Sequence, residues 1–225
     1  MNERDWDKVA DSFEQEIFNV PENDTKGIIR NWVDSLAVPG AEATDLGCGV
    51  GRTLPMLADR YAQVYAVDVS SQCLEVAEKA NPGRRNITYV HADVSADKNG
   101  YPATDVVLCI NTWLNASLEI REGLIDRTCK GVKKGGHLLL VVPSLNSTLL
   151  TAYRHLQWNL RDGMDPREAQ KAAALNSKGL EHGIVRIDDV PTKHYLREEL
   201  EALLNDRGFQ VLDIEKIEYP WTTEF

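Results

Sequence analysis

Long apolar runs are missing from this 225-residue chain: Val106 to Ile110 and Leu138 to Val142 are each five residues long, against the roughly 20 that a membrane helix needs. Cysteine is scarce too. Cys48, Cys73, Cys109 and Cys129 form no C-x-x-C pair and have no histidine nearby at zinc-ligand spacing. No metal is therefore expected, and a reduced intracellular protein is the simplest reading. Positive charge is in deficit, with 25 Lys and Arg against 35 Asp and Glu, a net charge of −10 and a pI near 5.0. An overall electrostatic grip on a phosphate backbone is thereby disfavoured, and with it a nucleic-acid partner. The first residues, MNERDWDKVADSFEQE, are acidic and hold no apolar stretch, which argues against a secretory or transit peptide. The expectation is a cytoplasmic protein with no membrane partner; the oligomeric state is not legible.

What remains is the composition of one globular domain, 43% hydrophobic and 27% charged. A chain of this length buries roughly 70–75% of its unfolded surface and needs neither disulfides nor a metal to hold a core. Trp6, Val9, Ala10, Phe13 and Ile17 recur at helical spacing, as do Ile28, Ile29, Trp32, Val33 and Leu36, so two amphipathic helices, separated near Pro21, precede the core. From residue 41 short apolar runs alternate with helical stretches. Strands are expected at 41–46, 63–67, 87–91, 105–110 and 137–142, and helices at 52–60, 70–80 and 115–130. Such alternation implies an α/β fold, a Rossmann-like, doubly wound and mostly parallel sheet with right-handed crossovers. After Pro143 the alternation stops for a helical insertion, 144–183, with one helix through Tyr153 and Trp158 and another started by Asp165-Pro166-Arg167-Glu168. A helix over about 196–207, stopped by Gly208, and a last strand from Phe209 to Glu218 complete the pattern.

The informative stretch is Asp45-Leu46-Gly47-Cys48-Gly49-Val50-Gly51-Arg52. A strand runs into three alternate glycines just before a helix, so the backbone can turn tightly and a ligand can approach it closely. The spacing is G-x-G-x-G, not the pyrophosphate fingerprint G-x-G-x-x-G. Asp45 at the strand end would repel a pyrophosphate yet suits a ligand bearing an ammonium and a sulfonium. Asp68 closes the second strand, where a carboxylate can accept both ribose hydroxyls. Asp93 follows the third, within reach of an adenine amino group. Taken singly, a strand-end Asp can equally well just cap the next helix.

Three acids at three successive strand ends, with glycines at the first, resemble the class I S-adenosylmethionine-dependent methyltransferases of the small-molecule type. DLGCGVGR is close to that family's first motif, and the resemblance covers about residues 41–143. It implies a single methyltransferase domain over 1–225, with S-adenosylmethionine as cofactor and S-adenosylhomocysteine as product. Asp45 and the loop of Gly47, Cys48, Gly49 and Gly51 would hold the methionine portion, Asp68 the ribose, and Asp93 with Val69 and Val94 the adenine. Asn111 and Trp113 lie in Cys109-Ile110-Asn111-Thr112-Trp113, the counterpart of the family's loop after the fourth strand, which faces the methionine portion and the acceptor. Trp6 and Phe13 match an N-terminal helix that closes over the cofactor in similar proteins, making 1–38 a helical lid.

The acceptor side is less legible. The fourth-strand loop lacks the Asn/Asp-Pro-Pro-Tyr used on planar amino groups, and no Pro-Cys dipeptide supports the covalent route to a pyrimidine carbon. Methyl transfer draws much of its rate from proximity and needs a base only where the acceptor arrives protonated. VPTKHYLREEL resembles the segment lining the acceptor pocket in many small-molecule members, which makes His194 and Tyr195 the catalytic candidates; packing of the helix start is the competing role for Tyr195. Tyr153, His155 and Trp158 are candidates for a substrate wall beside Trp113. The insertion 144–183 carries five basic against four acidic residues and is expected to act as a cap that selects a small-molecule acceptor. The rival readings are an RNA or protein methyltransferase and a catalytically silent cofactor-binding subunit. The family's sheet ends in a hairpin of strands six and seven, and only Pro220 to Phe225 follow the expected sixth, so the seventh is expected to be truncated, missing or replaced.

Overall fold

The computed structural model describes residues 3–10, 12, 13, 17–96, 100–175, 178–187 and 189–218. Chain contacts divide it into two compact units. The first holds residues 1–112, 119–141 and 213–225, the second residues 113–118 and 142–212.

The first unit contains α1 (Glu3–Val9), α2 (Val20–Asn23), α3 (Ile28–Leu36), β1 (Glu42–Leu46), α4 (Leu54–Ala58), β2 (Gln63–Asp68), α5 (Ser71–Ala80), β3 (Ile87–His91), β4 (Thr104–Ile110), most of α6 (Leu118–Lys130) and β5 (Val132–Val141). Its sheet has the order β3-β2-β1-β4-β5 and every pairing is parallel. β1 lies at the centre and is buried on both faces after Glu42, the condition that near-continuous apolar strands meet in a parallel sheet. Ala43, Val64, Val106 and Leu108 form the heart of the core together with Val33 and Leu57 from the helices. A parallel sheet turns the carboxyl ends of all its strands to one edge, where open α/β folds bind ligands.

The five expected strands are present. The fifth begins earlier than its apolar run, at Val132, with a register shift between Thr104 and Val106. Gly135 has φ +77 there, and a Cβ on Gly136 would lie 2.6 Å from the Asp105 carbonyl oxygen, so the Gly-Gly pair forms an irregularity inside the strand. Lys133 holds that end by ion pairs to Glu42 (2.9 Å) and Asp105 (3.0 Å). Helix α4 is shorter than the expected 52–60, because Arg52 and Thr53 belong to the turn that precedes it. The first N-terminal helix is described over Glu3–Val9; residues 11 and 14–16 of the expected stretch lie outside the described residues. Pro21 falls in the first turn of α2, capped by the Asn19 side chain.

The expected strand from Phe209 to Glu218 is not formed: the described residues 209–218 hold no helix or strand, and the sheet ends at β5. Side chains tether the segment instead of a backbone ladder. Trp32 Nε1 donates to Glu215 (2.9 Å), Lys26 pairs with Glu218 (2.7 Å), and Ile217 packs on the core. Its alternating apolar residues meet the period of a strand without a partner edge to pair with.

The second unit holds α7 (Leu145–Arg161), α8 (Pro166–Ala172), a short 3-10 turn at Leu180–His182, β6 (Ile184–Ile187), β7 (Val190–Lys193) and α9 (Arg197–Asp206). Helix α7 starts at Ser144, whose side chain accepts from the Ser147 N–H. Helix α8 starts where the sequence places it, with Asp165 accepting from the Arg167 and Glu168 N–H groups and Pro166 in the first turn. Gly208, at φ +80, follows α9. The antiparallel β6–β7 hairpin was not anticipated; it pairs Ile184 with Lys193 through to Ile187 with Val190. Among the described residues no helix is long and apolar enough to cross a membrane.

Candidate functional site

At the end of β1 the chain turns through Gly47, Gly49 and Gly51, at φ +72, +52 and +82, a region that a side chain disfavours. The Gly47 and Cys48 N–H groups donate to the Val67 carbonyl at 2.8 and 3.1 Å, pinning the loop to the end of β2. A Cβ at Gly47 would collide with Thr112, whose hydroxyl donates to the Leu46 carbonyl (2.9 Å). A Cβ at Gly49 would lie 2.8 Å from the ring of Phe13. The N-terminal segment thus rests directly on the glycine loop. Arg52 secures it: its guanidinium lies 5.0 Å from the Phe13 ring centroid and donates to the carbonyls of Ile17 (3.0 Å) and Phe13 (3.3 Å). Asp7 accepts from the Ser70 hydroxyl (2.6 Å) at the start of α5.

Consecutive parallel strands bring the acids to this same edge. Asp45 is 3% exposed and accepts a hydrogen bond from the Thr53 hydroxyl. Burial pushes its carboxyl up to about 7; the Thr53 bond opposes this and the neighbouring Asp68 charge adds to it. Asp68 accepts from the Gly49 N–H (2.8 Å) through one oxygen and from the Ser70 N–H (2.9 Å) through the other. Burial raises its pKa, against the pull of those N–H groups. Cys48 is buried and its thiol is raised well above the usual range by burial, so it is no nucleophile. Asp93 is exposed and accepts from the Ser95 N–H (3.0 Å) and hydroxyl (2.7 Å). Val94 is buried, and the Val69 carbonyl faces His91 Nε2 at 3.0 Å. Asn111 has φ +53 and donates its N–H to the Val141 carbonyl (2.9 Å), leaving its side chain exposed.

These residues fit a ligand that is cationic at one end and a nucleoside at the other. Two buried carboxylates flank the glycine turn, and the loop's own cation, Arg52, is committed to the N-terminal segment. A pyrophosphate would meet negative charge where it needs N–H donors and a cation. Thr53 and Ser70 were missed in the sequence. Their signal was a hydroxyl eight residues past Asp45 and two past Asp68, too common a pairing to stand out without coordinates.

The acceptor-side candidates fall in the second unit, and they do not form one cluster. Trp113 is fully buried at 0% exposure, and its carbonyl accepts from the Tyr195 hydroxyl (2.7 Å). Lys193 Nζ lies 4.6 Å from the Tyr195 ring centroid and pairs with Glu199 (2.6 Å). Trp113 and Tyr195 are thus core groups of this unit in the present conformation. His194 is 5% exposed, with Nδ1 2.7 Å from the Thr148 hydroxyl. On α7, His155 and Trp158 stack obliquely with centroids 5.9 Å apart, whereas Tyr153 is exposed and accepts from Gln157 (3.0 Å).

Comparison with known proteins agrees with this geometry. Residues 43–136 match the family model of a methyltransferase domain, which bears out the resemblance seen in the sequence. Trans-aconitate 2-methyltransferase from Rhizobium etli is 33% identical over 105 residues, covering 45% of this chain and 38% of that protein. Ubiquinone biosynthesis O-methyltransferase from Idiomarina loihiensis is 32% identical over 114 residues, 50% of this chain and 45% of that protein. The chain thus matches less than half the length of either relative. The crystal structure of magnesium protoporphyrin IX methyltransferase from Synechocystis PCC 6803, with bound S-adenosylhomocysteine, covers 97% of this chain and 92% of that chain at 17% identity and a TM-score of 0.59. The fold is that of the class I methyltransferases.

Proposed function

We propose that the protein is an S-adenosylmethionine-dependent methyltransferase of the cytoplasm that acts on a small-molecule acceptor. The observation that carries the reading is the array of Asp45, Asp68 and Asp93 at three neighbouring strand ends around a turn of three left-handed glycines. Matches to methyltransferases named for small acceptors support it. When bound, the cofactor supplies a methyl group on a positively charged sulfur, which leaves as a thioether.

The chain's own part is binding, orientation and exclusion of water. Asp45, with Thr53 holding one carboxyl oxygen, presents negative charge to the cationic end. Asp68, already oriented by the Gly49 and Ser70 N–H groups, keeps lone pairs for the ribose hydroxyls. Asp93, Val69 and Val94 receive the adenine, and Asn111 borders the methionine portion. Residues 1–38 act as the lid, through Phe13 and Arg52. The insertion 144–183, with Trp113, Tyr153, His155, Trp158, His194 and Tyr195, determines which acceptor is taken. Calorimetry against S-adenosylhomocysteine and NAD tests the reading. Micromolar binding of the former and none of the latter is expected, and preference for NAD overturns it.

A further inference from the structure

Helix α7 is held within the second unit by Thr148, whose hydroxyl meets His194 Nδ1 at 2.7 Å. A different side of the same helix presents Leu149, Tyr153 and Leu160, which are 45%, 55% and 43% exposed, with Leu150 at 44% beside them. Exposed apolar residues scattered singly need no explanation, whereas a contiguous set on one face marks an interaction surface.

The spacing of that set is the spacing of a seam. Leu149, Tyr153, the half-buried Leu156 and Leu160 follow one another at intervals of four, three and four residues. At 3.6 residues per turn they fall within an arc of about 60°, and a 4-3-4 repeat is the pattern by which one helix inserts its side chains between those of another. The positions flanking the seam are Leu150, Ala152, Gln157 and Asn159, and none is charged. The whole of α7 contains no acidic residue. Its two arginines lie off the seam, Arg154 donating to Gln157 (3.1 Å) and Arg161 paired with Asp162 (3.4 Å). Tyr153 offers its ring to the seam while its hydroxyl stays bonded to Gln157 (3.0 Å).

This seam complements itself. When two copies of α7 run antiparallel about a twofold axis between Arg154 and His155, Leu149 meets Leu160 and Tyr153 meets Leu156, each contact occurring twice. Leu150 then meets Asn159 and Ala152 meets Gln157, so no charge faces another of its own sign. The antiparallel arrangement also sets the helix dipoles against each other favourably, and a twofold axis closes the assembly at two copies. An anionic lipid surface suits the face less well, because both arginines are already bonded and the chain's net charge of −10 repels it.

We propose that α7 is a self-association surface, through which two copies of this chain pair by Leu149, Tyr153, Leu156 and Leu160 in antiparallel register. Two helices of this length meeting along one seam bury on the order of 1,000 Å² in total, the lower bound of specific interfaces, so the dimer is reversible. It does not depend on the chemistry of the first unit.

Sedimentation equilibrium of the full chain, without ligand, between about 5 and 200 µM reads the assembly. The average mass should rise from 25.2 kDa toward twice that value; a mass of one chain throughout overturns the proposal, and binding of that monomer to vesicles of anionic lipid would give the face to a membrane surface instead. Leu149→Glu and Leu160→Lys, each at an exposed position, should keep the wild-type circular dichroism and weaken self-association at least tenfold. Mixed one to one they should dimerise again, because the antiparallel register sets the new carboxylate against the new ammonium and leaves a Leu–Leu contact at the other end. Unchanged association in either folded variant, or no recovery on mixing, overturns the proposal. Where a charged variant fails to fold, Leu149→Gln and Leu160→Gln take its place and should weaken association at least threefold, with unchanged association again decisive against the seam. Added salt screens the like net charges of the two copies and should strengthen the wild-type dimer; a dimer that salt dissolves is held by charges, and the apolar seam falls.

Discussion

Asp45→Asn separates what the loop costs the fold from what it gives the ligand. In the unfolded chain this carboxyl ionises near 3.8; in the fold burial holds it protonated up to about 7. Between those values the folded state keeps a proton that the unfolded state has lost, so stability falls as pH rises through the window and levels off above 7. About three pKa units at roughly 1.4 kcal/mol each put the cost at about 4 kcal/mol in the ligand-free protein at pH 8.5. Asparagine keeps an acceptor for the Thr53 hydroxyl and carries no charge. The variant should therefore be more stable than wild type at pH 8.5 by about 2–4 kcal/mol, a rise in Tm of roughly 5–10 °C for a chain of this size. At pH 4 the two should match to within about 1 kcal/mol. Its affinity for S-adenosylhomocysteine at pH 8.5 should fall at least tenfold, because the ammonium loses its charged partner. Wild-type binding between pH 6 and 7 should release a proton, measured by calorimetry in buffers of different ionisation enthalpy. Denaturation scans of both proteins at the two pH values decide the matter, and an equal Tm difference at pH 4 and pH 8.5 would refute the reasoning.

Asp68→Ala should weaken S-adenosylhomocysteine binding by about 2–4 kcal/mol in calorimetry, since two hydroxyls lose a charged acceptor; normal binding by a folded variant would remove Asp68 from the ribose. Gly49→Ala should destabilise by about 1–3 kcal/mol, from a left-handed backbone and from the close approach of Phe13. Phe13→Ala in the same chain should recover the steric part, and a double-mutant cycle without coupling would contradict the contact. His194, its pKa lowered to about 4, should cost the fold about 3 kcal/mol as pH falls from 6.5 through 4, because the unfolded state takes up the proton first. His194→Gln should flatten that acid slope in denaturant titrations.

The sequence by itself determined the sheet and the chemistry at its edge. Apolar runs of strand length alternating with helical periods left a parallel sheet as the way to bury every strand, and parallel strands place Asp45, Asp68 and Asp93 on one edge whatever their side chains do. The three alternate glycines announced a tight turn because no other residue adopts those φ values at so little cost. Tertiary structure decided what depends on neighbours distant in the chain. The period of residues 209–218 describes a strand only if an edge accepts it, and none does; Trp32 and Lys26 hold the segment through Glu215 and Glu218 instead. The strand expected to begin at 137 begins at Val132 instead and carries Gly135-Gly136 as an irregularity within it, set by the approach of Asp105. The β6–β7 hairpin is two short runs whose pairing is a cooperative outcome of the second unit. The contact of His194 Nδ1 with the Thr148 hydroxyl, 46 residues away in the chain, is a further case: it exists only because the end of β7 and α7 meet within the second unit.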